Sequence, residues 1–213
     1  MTQLLVTPFL SEKTAFDLVV IVTSLGGLNA LTRILSVLPA SFPAAMAVVQ
    51  HLPQDAPKLL VDILSCRTPL RVKWAEDGEG VSPGTVYIAP PNAHLLMNAN
   101  RHFMLSRAAP VQFVRPSGDL LFETAAAAFK TRLIGLVLTG RAGDGSRGIT
   151  MIRQAGGVTL AQDEASSSAF SMPKKAIETG HVDFILALDD IAAKLCELMT
   201  DSSRPSSVSS ASL

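Results

Sequence analysis

Two rhythms alternate along this chain. Short runs rich in β-branched residues read as strands: "DLVVIVT" (17–23), "AAMAVVQ" (44–50), "TVYIAP" (85–90), "HFMLS" (102–106), "LIGLVLT" (133–139), "GGVTLAQ" (156–162) and "VDFILAL" (182–188). Several are apolar on both faces, as strands are when a parallel sheet is buried between helices. Between them lie segments with helical periodicity. Leu28, Leu31, Ile34, Leu35 and Leu38 share one helical face, and Pro39 stops that helix. Residues 55–65 predict a second helix with Asp55 near its N-cap, and the alanine-rich 120–132 a third. The fourth, 147–156, closes at Gly156 and Gly157; the fifth, 172–180, has Pro173 in its first turn and ends at Gly180; 188–199 is the last. Strand–helix alternation of this kind predicts an α/β fold: a doubly wound, mostly parallel sheet with helices on both faces. The stretch from Ala75 to Ser106 breaks the rhythm with a Pro-Gly turn, and predicts a hairpin or an antiparallel edge. Residues 1–16 read as a lead-in or linker, 17–199 as the folded domain, and the Ser-rich 200–213 as a disordered tail.

Composition narrows the classes. With 213 residues and 48% hydrophobic content, the chain can bury a full core. Eighteen basic residues balance eighteen acidic ones. That balance argues against a nucleic-acid partner or an anionic membrane held by bulk charge. No apolar run approaches the ~20 residues that span a bilayer, so no direct membrane insertion is expected. The N-terminus lacks the features of a signal peptide, and Cys66 and Cys196 lie far apart without metal-ligand spacing. These features predict a cytoplasmic protein with reduced thiols, no metal and no cofactor. Cys196 falls in an apolar helical pattern and reads as core; His102 and His181 read as surface residues, and Trp74 and the methionines as core or edge packing.

Ligands of open α/β sheets bind outside the carboxyl ends of the strands. Polar side chains that follow predicted strands are Ser24, His51, His94, Asp144 and the trio Gln162, Asp163 and Glu164. A hydroxyl, an imidazole and a carboxylate at one sheet edge form the inventory of a nucleophile, its base and the acid that orients the base. Each also has a plainer reading alone: Ser24 as a helix N-cap, His51 as a structural histidine, Asp144 as a turn residue. In "TSLGG", Gly26 and Gly27 would let a carbonyl substrate come close, and N–H groups at the helix start can face an oxyanion. A dinucleotide fingerprint and a P-loop are both absent.

Six blocks, "SLGG", "QHLP", "AEDGEGVSPGTVYIAPPNAH", "RPSGDLLF", "VLTGRAGDGSRG" and "AQDEASSSAFSMPKKAIETG", together resemble the catalytic domain of the bacterial chemotaxis protein-glutamate methylesterase, CheB. The resemblance covers roughly Asp17 to Met199. It implies a doubly wound α/β fold, and hydrolysis of γ-glutamyl methyl esters on chemoreceptor cytoplasmic helices with release of methanol. Some members also deamidate receptor glutamines. By motif, the family's nucleophile falls on Ser24, its base on His51 and its orienting acid on Asp144. Leu25, Gly26, Gly27 and Arg141 occupy the positions expected to border the substrate and its oxyanion.

Two departures from the family pattern stand out. Leu25 replaces the hydroxyl residue beside the nucleophile, and Arg141 replaces a methionine. Full-length members usually carry an N-terminal receiver domain that covers the active site until phosphorylated. The sixteen residues before Asp17 cannot form one, so any receiver control would come from a separate domain. The leading expectation is thus a serine esterase acting on methylated receptors in chemotaxis-type adaptation. The alternatives are a catalytically impaired homologue that serves as a receptor-binding module, and an esterase with another substrate.

Overall fold

The computed structural model describes residues 15–52 and 59–200. Nine strands and six α-helices alternate along them: β1 (Leu18–Thr23), α1 (Gly27–Val37), β2 (Ala45–Gln50), α2 (Leu60–Ser65), β3 (Arg71–Trp74), β4 (Thr85–Ile88), β5 (His94–Met97), β6 (Phe103–Ser106), α3 (Gly118–Phe129), β7 (Leu133–Val137), α4 (Ser146–Gln154), β8 (Val158–Gln162), α5 (Ser171–Glu178), β9 (Phe184–Leu186) and α6 (Leu188–Thr200). Seven strands form one sheet in the order β3-β4-β2-β1-β7-β8-β9, with every pairing parallel.

β1 lies at the centre, and its unbroken apolar run follows from burial on both sides. Val19 and Ile21 join the core beneath α1, α2 and α6, where Leu31, Ile34, Leu35 and Leu195 pack. Leu18, Val20 and Val22 point to the opposite core, shared with Phe122 and Phe129 of α3, Ile149 and Ile152 of α4, and Met172 of α5. Each such side chain taken fully out of water contributes roughly 1.5–3 kcal/mol before entropy is counted, which fixes the register of the central strand firmly.

The irregular stretch predicted around 75–106 resolves into three strands. β4 pairs parallel with β2, and the hairpin is a separate two-stranded sheet of β5 and β6 with Leu95↔Leu105 and Met97↔Phe103 in antiparallel register. The main sheet has no antiparallel edge among its described strands; its outer strand β3 runs parallel to β4. β3 and β5 had no strand signal in the sequence. The edge strand reads Arg-Val-Lys-Trp and is only half covered, and β5 is four residues long.

Described residues lie just outside the predicted 17–199 at both ends. Phe16 is fully buried in the α1/α6 core, and Thr200 closes α6. The rest of the predicted lead-in, the tail from residue 201 and the Asp55 N-cap lie outside the described residues. No described helix is long and apolar enough to cross a membrane.

The chain leaves β1 toward β2 on one side and returns at β7 on the other. The reversal of strand order therefore sits between β1 and β7, where open α/β sheets form a crevice at the carboxyl ends.

Candidate active site

The loops leaving β1 and β7 are tied together at that crevice. Thr23 is wholly buried, and its hydroxyl donates to the Thr139 carbonyl at 2.9 Å. The Ser24 N–H donates to the same carbonyl at 3.0 Å. The Thr139 hydroxyl in turn donates to Leu25 O and accepts from Ala169 N–H, binding a third loop to the first two. Of the two hydroxyls in "TSLGG", the first is therefore a tie. The second is not a helix cap: the N-cap of α1 is Gly26, at φ 82°, which makes no side-chain cap bond. The positive φ favours glycine there. Ser24 Oγ has no hydrogen-bond partner among the described residues, and Ser24 opens onto a cleft of about 540 Å³ that it shares with His51, Leu25, Leu28, Leu60 and Ile63.

His51 follows β2 and is anchored by its N–H to Thr23 O at 2.9 Å. Its Nε2 lies 2.8 Å from Oδ2 of Asp144, with side chains only 12% and 2% exposed. Asp144 accepts three more hydrogen bonds, from Ser117 Oγ (3.0 Å) and Asp119 N–H (2.9 Å) on Oδ1, and from Gly118 N–H (2.5 Å) on Oδ2. Gly118 and Asp119 begin α3, so the carboxylate sits at the positive end of a helix whose N-cap residue, Ser117, makes no cap bond of its own. Burial alone would push the Asp144 carboxyl up. The hydrogen bond from His51, those from Asp119 and Gly118, and the His51 charge outweigh it and hold the group below its ordinary value. When the imidazole is neutral, an ionised Asp144 favours its proton on Nε2, which leaves Nδ1 as the ring's acceptor.

The structure thus places His51 and Asp144 in direct contact and Ser24 and His51 on one cleft. Gln50, Ser117 and Asp119 were not anticipated as supporting residues. Asp119 is fully buried, and its Oδ1 accepts the N–H groups of Gly145 and Gly148 at the start of α4. Two helices therefore exchange caps: Asp144 serves α3 and Asp119 serves α4. Burial pushes the Asp119 carboxyl up and the Asp144 charge adds to that, against the two N–H donors and nearby Arg147. The block "RPSGDLLF" contains both Ser117 and Asp119.

Other strand-end candidates prove structural. His94 is fully buried; its Nε2 lies 3.1 Å from Ala109 O, and its Nδ1 accepts from Ser117 N–H. Gln162 accepts from Thr139 N–H and donates to Ser166 O, bracing the β7 loop, while Asp163 accepts from Ser166. His181 is half-buried, not a surface residue, because its loop folds against β8, where its carbonyl accepts from Thr159. Met104 and Met151 are exposed rather than packed. Among the described residues no group of three His, Cys, Asp or Glu side chains could hold a metal ion.

Among the oxyanion candidates, Gly27 is corrected. Its N–H is engaged with Ser24 O at 2.9 Å, closing the turn, so it is not free to face a substrate. The N–H groups of Leu25, Gly26 and Arg141 have no such partner among the described residues. Arg141 and Leu25 are both exposed. Gly140, just before Arg141, packs closely against Ser24 and Met172. A Cβ there would stand 2.1 Å from Met172 Sδ and 2.8 Å from Ser24 Cβ. Gly140→Ala is therefore expected to displace Ser24, to cost about 1–3 kcal/mol of stability by overpacking, and to lower the rate of Ser24 labelling by a fluorophosphonate. Unaltered labelling would show that the contact has no effect on the serine.

The family model for the CheB methylesterase matches residues 19–195. A protein-glutamate methylesterase/protein-glutamine glutaminase of Thermotoga maritima is 40% identical over 185 residues, 85% of this chain and 54% of the relative. The protein-glutamate methylesterase FrzG of Myxococcus xanthus is 41% identical over 182 residues, again 85% of this chain and 54% of the relative. The chain spans about half the length of these two relatives, whereas it covers 92% of a Leptospira interrogans relative at 39% identity. The crystal structure of the Thermotoga maritima CheB methylesterase catalytic domain superposes with a TM-score of 0.83 at 40% identity, covering 86% of this chain and 98% of that one. An all-parallel sheet with its crevice at β1 and β7, and a family match running through both loops that meet there, make this chain a member of the CheB methylesterase family.

Proposed function

We propose that the chain is a protein-glutamate methylesterase that hydrolyses γ-glutamyl methyl esters on the cytoplasmic helices of chemoreceptors, with Ser24 as nucleophile. The observation that carries this reading is the His51–Asp144 contact at 2.8 Å, beside a cleft lined by Ser24, whose hydroxyl has no hydrogen-bond partner among the described residues.

Ser24 Oγ attacks the ester carbonyl and passes its proton to His51 Nδ1. Asp144, bonded to Nε2, holds the ring in the productive tautomer and stabilises the imidazolium. The tetrahedral oxyanion is received by free backbone N–H groups at Leu25, Gly26 or Arg141. Its collapse returns the proton from His51 to the departing methoxide and releases methanol. Water, activated by the same imidazole, then cleaves the glutamyl–Ser24 ester and leaves a receptor glutamate. A glutamine side chain would follow the same course with ammonia as the leaving group. The exposed Arg141 adds a positive charge beside the reacting loop, suited to a substrate surface rich in carboxylates.

The test is methanol release from methylated receptor cytoplasmic fragments, run beside fluorophosphonate labelling of Ser24. Labelling with methanol release is expected. Labelling without release from any receptor fragment would overturn the substrate, and absence of both would overturn the mechanism.

A further inference from the structure

We infer that Gln50 is the positioning residue that sets the distance between Ser24 and His51, an inference that rests on reading those two as nucleophile and base. Gln50 is the last residue of β2 and only 6% exposed. Its single amide nitrogen donates to the carbonyl of Ser24 and to the carbonyl of His51, each at 2.9 Å. One planar group therefore spans the two backbone segments that carry the reacting side chains. The other main-chain ties at this point reach Ser24 from Thr139 and Gly27, and His51 from Thr23. None of these joins Ser24 directly to His51; the Gln50 amide alone among the described residues bonds to both.

The orientation of the amide is dictated by its surroundings. Turned over, Oε1 would face two carbonyl oxygens and both hydrogen bonds would become repulsions. In the observed orientation Oε1 is buried with no partner among the described residues. It also lies 2.2 Å from where a Cβ on Gly27 would stand. The second glycine of "SLGG" is thus the space that the Gln50 amide occupies. A buried acceptor left unpaired opposes folding. An apolar side chain of the same length would fill this place without that penalty, so packing alone does not account for a glutamine here. Its two donated bonds do, because small displacements between nucleophile and base have large effects on rate.

The test compares Gln50→Met and Gln50→Glu with the native chain. Methionine keeps length and volume but donates nothing; glutamate keeps shape but turns oxygens toward both carbonyls. For Gln50→Met, kcat for methanol release per folded molecule is expected to fall about 10- to 100-fold with KM within about twofold. Gln50→Glu is expected to fall further; if it does not fold, the methionine variant decides. A merely structural role predicts a lower midpoint with native kcat per folded molecule, and that result overturns the inference. Fluorophosphonate labelling of Ser24 separates this from the choice of substrate. If the native chain labels but releases no methanol, the substrate proposal fails, and a slower labelling rate in Gln50→Met still supports the positioning role. An unchanged labelling rate overturns it, as does a native chain that neither labels nor turns over.

Discussion

Replacing Ser24 by alanine is expected to lower kcat for methanol release by at least about 10⁴-fold while leaving the fold intact. The two halves of that expectation have separate physical grounds. The rate falls because the residual machinery, an imidazole, a carboxylate and free N–H groups, can polarise a carbonyl and a water but has no atom to form the acyl intermediate. The fold survives because the Ser24 hydroxyl holds nothing: it has no hydrogen-bond partner among the described residues and does not cap α1. Neighbouring Thr23 is the contrast. Its hydroxyl is fully buried and donates to Thr139 O at 2.9 Å, so its removal would lower stability before chemistry is considered. Methanol release, fluorophosphonate labelling and a thermal midpoint, measured together on Ser24→Ala, check both halves. Native release by that variant would remove Ser24 from the mechanism. Lost release with a collapsed midpoint would show that the hydroxyl is structural.

The same pair of hydroxyls shows what the sequence could and could not reveal. Burial on both faces makes β1 an unbroken apolar run, and that signal is strong enough to place the strand, its end and the polar residue just beyond it. The sheet's parallel character and all six helices were legible for a related reason: each carries enough apolar positions to show its period. β3 and β5 were not: β3 reads Arg-Val-Lys-Trp, a half-covered edge of alternating polarity, and β5 reads His-Leu-Leu-Met, with no β-branched or aromatic strand former.

At the site, Ser24, His51 and Asp144 could be picked out as side chains at strand ends. Their supports could not. Gln50 is the terminal residue of a strand that otherwise reads Ala-Met-Ala-Val-Val, and nothing in its spacing predicts that one amide will span two carbonyls. Asp119 looks like an ordinary first-turn acid of α3, yet its partners are Gly145 and Gly148, the latter 29 residues away. Such bonds exist only once α3 and α4 are packed. Gly27 differs from its expected role for a related reason: the sequence shows a glycine, but only the packed β2 shows the side chain that requires it.

Asp144→Asn is expected to cost about 10³- to 10⁴-fold in kcat and roughly 1–3 kcal/mol in stability at neutral pH. The carboxylate accepts from backbone N–H groups on both oxygens, Asp119 on Oδ1 and Gly118 on Oδ2, so neither orientation of an amide avoids setting NH₂ against N–H. With the NH₂ toward His51, Nε2 must give up its proton, and Nδ1 can no longer take one from Ser24. With the NH₂ toward Ser117, the contact to His51 is kept but the charge that stabilises the imidazolium is gone.

The pH dependence separates these effects from a packing defect. The folded Asp144 group titrates below its unfolded value, which for an unperturbed aspartate is about 3.9. Its ionised form is therefore favoured by folding, and the stability it contributes is complete above that unfolded value and lost as pH falls through the depressed one. Asp119, pushed up, has the opposite sign: its ionisation is resisted by the fold, so stability declines as pH rises through its raised value. Asp119 is present in both proteins, which removes most of its contribution from the comparison. The remainder is the part caused by the Asp144 charge, which the asparagine relieves and which slightly reduces the measured gap at neutral pH. The difference in unfolding free energy between the native chain and Asp144→Asn, followed by denaturant titration from pH 7 to pH 3, should accordingly be widest at neutrality and narrow below about pH 4. A gap of constant size across that range would mean that the loss comes from shape alone and that Asp144 is not held as an anion beside His51.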